Sequence, residues 1–117
     1  MMPIGDATMR VVEYALDGLA LRTEVVSDNV ANASVPGFRP SRVDFESTLR
    51  SALRSGDVSG LRRTSPSETD GVLHPNGNEV SLESEVVEML KTNLTQDAMV
   101  NAFNFKIAVM RSAIKGR

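Results

Sequence analysis

Two stretches of the 117-residue chain repeat apolar side chains at alternating steps of three and four, with a polar stretch between them. In the first, Met9, Val12, Leu16, Leu19, Thr23, Val26, Val30 and Ala33 share one stripe, and seven of the eight are apolar. That is the pattern of a coiled-coil seam. Asp6 suits an N-cap, so a helix is predicted from there to about Ala33, a rod of roughly 40 Å at 1.5 Å per residue. Gly18 weakens its middle by about 1 kcal/mol relative to Ala, unless the missing Cβ admits a neighbouring backbone.

The second stretch steps through Leu82, Val86, Met89, Asn93, Gln96, Val100, Phe103, Ile107, Met110 and Ile114, eight of them apolar. It predicts a helix from Ser81 to the closing Lys115-Gly116-Arg117, with Glu83 and Glu85 facing the positive end of its dipole. Leu16, Leu19, Val26, Val100, Phe103, Ile107 and Met110 are expected to form the seam between the two helices. Asn93 and Gln96 would set register or bond across it. The second helix also carries Val87, Leu90, Leu94, Ala98, Phe105 and Val109. A single antiparallel partner covers one stripe only, and contiguous exposed apolar surface marks a protein–protein contact. Leu90, Leu94, Phe105 and Val109 are therefore expected to meet neighbouring subunits.

Between the rods, residues 43–54 (Val43, Phe45, Leu49, Ala52 and Leu53, stopped by Gly56) predict a short helix that cannot cover the whole second stripe. In residues 55–78, 16 of 24 are Gly, Pro, Ser, Thr, Asp or Asn, too polar to offset the entropy of ordering. Only Leu61-Arg62-Arg63-Thr64 and Gly71-Val72-Leu73 could pair there as short strands, and Arg62-Arg63 reads as a solvated pair. The expected fold is mainly α. Two long N- and C-terminal helices (1–33 and 81–117) form an antiparallel coiled-coil hairpin, joined through 34–80 by a turn, one short helix and a polar loop with at most a weak β-hairpin.

Composition narrows the chemistry. With no cysteine there is no disulfide framework, thiolate metal site or cysteine nucleophile. A net charge of -2 gives no footprint for nucleic acid. The one histidine, His74, precedes Pro75 in the polar loop and reads as solvated. Glu83 and Glu85 lie two apart on a helix and point away from each other, so with Asp70 they make no acid–base pair. No catalytic residue, cofactor, metal or small-molecule substrate is expected, and the chain reads as an interaction protein rather than an enzyme. The six methionines read as adaptable packing. No apolar run fits a signal-peptide core or the roughly 18–20 residues that span a bilayer, which suits a cytosolic protein or one exported with no signal removed.

Residues 29–40 carry a more specific signal. Pro36-Gly37 is a type II turn pair, with Pro fixing φ and Gly accepting the positive φ that follows. Asn29 and Asn32 stand at the helix end, where their amides can satisfy carbonyls or reach another chain. In order, Asn29-Val30-Ala31-Asn32, Ala33-Ser34, Val35-Pro36-Gly37-Phe38, Arg39 and Asp44-Phe45 resemble the N-terminal signature of bacterial flagellar axial proteins, the rod, hook and related subunits. That signature runs Asn-Ile-Ala-Asn, two variable residues, Thr-Pro-Gly-Tyr, a basic residue and a later Phe. Val35 and Phe38 lack the hydroxyls of the usual Thr and Tyr. The run from Gly77-Asn78-Glu79-Val80-Ser81-Leu82-Glu83 through Met89, Asn93 and Leu94 to Lys106 and Ala113-Ile114-Lys115-Gly116 is similar to the family's last helix. Gln96-Asp97-Ala98 departs from its Tyr-Gln-Ala.

The short length and the Lys-Gly ending are most like the proximal-rod member, with a neighbouring rod subunit as its competitor. A cytosolic helical adaptor or chaperone is the alternative outside the family, and a compact monomer would favour it. The resemblance implies a structural subunit of the basal-body rod that assembles helically through its terminal helices, with Pro36 and Gly37 redirecting the chain outward. It implies export through the type III apparatus without signal cleavage, and residence in the periplasmic rod. The implied partners are copies of itself, other rod proteins, and MS-ring or rod-adaptor components at the rod base.

Overall fold

The computed structural model describes residues 4–38, 40–62, 72–73 and 82–116, without the side chains of 4–6, 62 and 72–73. Arg39, Arg63, Asp70, His74, Ser81 and Arg117, and most of the predicted 55–78 loop, lie outside the described residues. The helices are α1 (Ile4–Ala31), α2 (Glu46–Ser55) and α3 (Leu82–Lys115), with a 3₁₀ turn at Ser59–Arg62. Two short strands, β1 (Arg42–Val43) and β2 (Val72–Leu73), pair antiparallel with Arg42 opposite Leu73.

The long helices are antiparallel. Lys106 Nζ donates to Thr8 Oγ1 at 3.2 Å, and Asn29 Nδ2 donates to Glu85 Oε2 at 3.2 Å. The two contacts are 21 residues apart on each helix (8 to 29, and 85 to 106), which is three heptads. The apolar core lies elsewhere. Tyr14, Ala15 and Leu19 of α1 pack with Val43, Phe45, Val58 and Leu61, and α3 adds only Met99 to its edge. The side chains of α3 that are wholly enclosed are polar: Glu85 at 0% exposure and Thr92 at 2%. The centre of the chain is therefore fastened to α1 by hydrophobic burial, and the first half of α3 by polar contacts.

Local chemistry moves several predicted boundaries. α1 begins at Ile4, so Asp6 falls inside the first turn; a carboxylate is favoured there as well as at the cap, and marks the helix start only to within a turn. It ends at Ala31 rather than Ala33: the Ala33 N–H turns back to the Val30 carbonyl and the Val35 N–H to that of Asn32, tighter steps of three that leave the α-helical pattern. Met9 and Val30 lie exposed beside the α1 stripe. The short helix begins at Glu46, not Val43, since Val43 is taken by the strand and Phe45 by the core. Asp44 then serves as the cap, with Oδ1 accepting from the Ser47 N–H at 3.1 Å and Oδ2 from the Ser47 hydroxyl at 2.6 Å. Gly56 ends α2 at φ +80°, donating to the Ala52 carbonyl.

The expected strand pairing is also exchanged. Val72–Leu73 pairs with Arg42–Val43, while Leu61 turns into the core on the 3₁₀ segment. The neighbour admitted at Gly18 is a side chain rather than a backbone: a Cβ there would clash with Cγ and Cδ1 of the Phe45 ring.

Candidate assembly surface

The signature residues build the corner where the chain leaves α1. Asn32 donates twice to the Asp28 carbonyl, from its backbone N–H at 3.0 Å and its Nδ2 at 2.8 Å. The Phe38 N–H closes the turn on the Val35 carbonyl at 3.2 Å, and Gly37 sits at φ +77°, the left-handed third position of a type II turn. Ala31, Pro36 and Gly37 are exposed at this corner, Phe38 is half-buried, and Phe45 is enclosed.

Asn29, 1% exposed, ties together the chain on either side of the turn. Its Oδ1 accepts from the Ser41 N–H at 3.0 Å, and its Nδ2 donates to the Ser41 carbonyl at 2.9 Å and to Glu85. The amide thus completes a short strand-like pair with Ser41 while holding the first turns of α3. Arg42 Nη2 lies 2.7 Å from Glu85 Oε1, a pairing by charge in which that oxygen accepts no well-aligned hydrogen bond. A carboxylate taken wholly out of water needs such partners, because desolvation costs several kcal/mol per ion.

A second polar clamp lies about two turns earlier on α1. Arg22 Nη2 donates to the Val43 carbonyl at 2.8 Å and to Glu46 Oε1 at 2.5 Å, and its guanidinium lies 4.9 Å from the Phe45 ring centroid. The hydroxyl and backbone N–H of Ser47 hold the Asp44 carboxyl below its usual range. Arg22 and Arg42 also line a cleft of about 320 Å³ between α1, β1 and α3, but both guanidinium groups are already committed. Among the described residues no cluster of three or more His, Cys, Asp or Glu could hold a metal ion, and no helix is long and apolar enough to cross a membrane.

Of the residues expected on the seam, Leu19 and Val26 are enclosed and Leu16, Phe103 and Ile107 are half-buried. Val100 and Met110 stand at its margin, 40% and 42% exposed. In this half of the helix the face turned to α1 runs through Glu85, Thr92 and Met99, one residue before Val86, Asn93 and Val100. Asn93, expected to bond across the seam, is exposed; Gln96 is half-buried. The bonds across the hairpin come instead from Asn29, Glu85, Thr8 and Lys106. Sequence reasoning missed Glu85 and Arg22 because it followed apolar stepping. The heptad spacing of Glu85, Thr92 and Met99 becomes a signal only once Asn29 is seen opposite.

Val87, Leu90, Leu94, Ala98, Phe105 and Val109 follow the far side of α3, and all are exposed, Leu94 at 69% and Phe105 at 71%. Stepping by three and four residues keeps them on one line, roughly opposite Glu85 and Thr92 on a helix of 3.6 residues per turn. An apolar ridge this long offers burial to another surface and no chemistry to a substrate.

Comparison with known proteins points the same way. The sequence model for the family described as flagella basal body rod protein matches residues 9–39, which include most of α1 and the whole corner. The chain is 31% identical to the flagellar basal body rod protein FlgB of Aeromonas hydrophila, over 95% of each chain. It is 31% identical to FlgB of Borreliella burgdorferi, over 74% of this chain and 79% of that one. To FlgB of Bacillus subtilis it is 23% identical over 98% of both.

Proposed function

Because the chain belongs to the flagellar basal body rod protein family, we propose that it is a FlgB-like structural subunit of the proximal rod, joined to its neighbours through the outward ridge of α3. One observation carries this reading: Leu90, Leu94, Phe105 and Val109 are exposed on a helix whose wholly enclosed residues are Glu85 and Thr92. A helix with apolar residues on both faces gains most of its burial from a second partner. If the contact joins different patches on successive subunits, repetition gives an open helical array rather than a closed ring.

The partners proposed are copies of this chain, other rod proteins, MS-ring or rod-adaptor components at the base, and the type III export apparatus during delivery to the periplasm without signal cleavage. The role is mechanical and requires no catalysis. The corner at Pro36 and Gly37 turns the chain back along α1 rather than outward, with Ser41 against Asn29, Val43 against Arg22 and Phe45 against Gly18, so these residues leave the α3 ridge open.

Complementation tests the reading. In a bacterium lacking its own copy of this subunit, Leu94→Asp and Phe105→Asp variants should be exported at the wild-type level yet build no rod. Normal rods from both variants would overturn it.

A further inference from the structure

The exposed apolar residues of α3 raise a question of rotation. Two stripes of this helix could face α1. They share Met89, Gln96, Phe103 and Ile107, and differ in offering Glu85, Thr92 and Met99 or Leu82, Val86, Asn93 and Val100. Apolar burial favours the second stripe, which would enclose a leucine and two valines and free a carboxylate. The structure adopts the first: Glu85 is fully enclosed while Leu82 and Val86 are 53% and 52% exposed. Transfer from water cannot explain that choice, since it costs a desolvated charge and leaves three large apolar side chains wet.

We propose that the buried cluster of Asn29, Ser41, Arg42 and Glu85 is a rotation lock, which selects the facing stripe of α3 against the preference of its apolar residues. Asn29 is the central member. Its two amide atoms are saturated by Ser41 and Glu85, so it can receive α3 only when the Glu85 carboxylate points inward. Arg42, on β1 beside Ser41, supplies the charge that makes the inward carboxylate tolerable. Turning α3 by roughly half of one residue's 100° step would break both contacts of Glu85, with Asn29 and with Arg42, at once. Buried polar groups that fix register at some expense of stability act in the same way in coiled coils. The lock is a property of the folded chain alone. Its consequence, that the Leu90–Leu94–Phe105 ridge points directly away from α1, matters for assembly only if the function proposed above is right.

The absence of native cysteine allows single-cysteine reporters. Val86→Cys and Thr92→Cys are made in the full-length chain, and their rates of reaction with a small thiol reagent are compared in three backgrounds. In the native background the 86 reporter should react at least about tenfold faster than the 92 reporter. With Asn29→Leu, Glu85 loses its amide donor and faces a hydrocarbon, so α3 turns it outward and the order of the two rates reverses. With Asn29→Leu and Glu85→Leu together, the facing pair is apolar, the original rotation is favoured again, and the native order returns. An unchanged order in Asn29→Leu would overturn the proposal. So would equal rates in that variant that the double substitution does not repair, because the cluster would then hold the fold together rather than choose a rotation. Neither outcome depends on rod assembly, so the lock and the proposed function fail separately.

Discussion

At the scale of single residues, the molecule depends on a few close fits between α1 and the chain that returns across it. Phe45 occupies the space a Cβ would take at Gly18, and the Arg22 guanidinium lies over the ring, 4.9 Å from its centroid. Gly18→Ala should gain about 1 kcal/mol in helix propensity but force an overpacked core, at a cost of 1–3 kcal/mol or somewhat more for a ring with no space to move. The expected net loss is about 1–2 kcal/mol by denaturant titration, and it should shrink in a Phe45→Leu background. Asp44 makes a different test. Its pKa is lowered by the Ser47 hydroxyl and N–H, so its contribution is full above the ordinary value of 3.8 and is lost as the pH falls through the lowered one. A series of stability measurements from pH 6 to pH 2 should show that loss in the native chain and not in Asp44→Ala, which should already cost about 1 kcal/mol at neutral pH.

Sequence alone exposed part of this scale. The Pro36-Gly37 turn and the Asn32 amide at the helix end follow from local rules about φ and unsatisfied carbonyls. What Gly18 admits depends on a residue 27 positions away (18 to 45), and nothing local to α1 encodes a ring rather than a backbone.

At the scale of elements, α3 is where pattern reading is least decisive. Its existence and length are plain from 34 residues without a Pro or Gly, but apolar side chains surround it, so the stepping defines two stripes and does not rank them. Tertiary polar contacts settle the choice. The two phenylalanines separate the consequences. Phe103 is half-buried toward α1, so Phe103→Ala should lower monomer stability by about 2–3 kcal/mol, below the figure for a fully enclosed ring. Phe105 stands on the outer ridge, and Phe105→Ala should change monomer stability by no more than about 0.5 kcal/mol while weakening assembly. Denaturation of both variants beside a rod-formation assay separates the inner face from the outer one. The short helix shows the opposite case: its Gly56 stop was legible because a left-handed cap is local, and its start was not, because Val43 and Phe45 are claimed by a distant strand and by the core.

At the scale of the whole molecule, burial is divided unequally. The hydrophobic core joins α1 to residues 43–61, whereas α3 is held by Met99, Phe103 and Ile107 and by the Asn29–Glu85 and Thr8–Lys106 bonds, and it carries a full ridge of exposed apolar side chains. A helix so attached gains much of its stability from what covers its other face. On the proposed function, the chain completes its burial by association along α3. Far-UV circular dichroism and sedimentation velocity over one concentration series, on the native chain and on a Leu94→Ser/Phe105→Ser variant, read this association. Helicity and sedimentation coefficient should rise together with concentration in the native chain, while the variant stays a monomer of constant, lower helicity across the same range. A native chain that is fully helical, monomeric and indifferent to concentration, with a variant indistinguishable from it, would mean that α3 needs no partner and would overturn the proposed association.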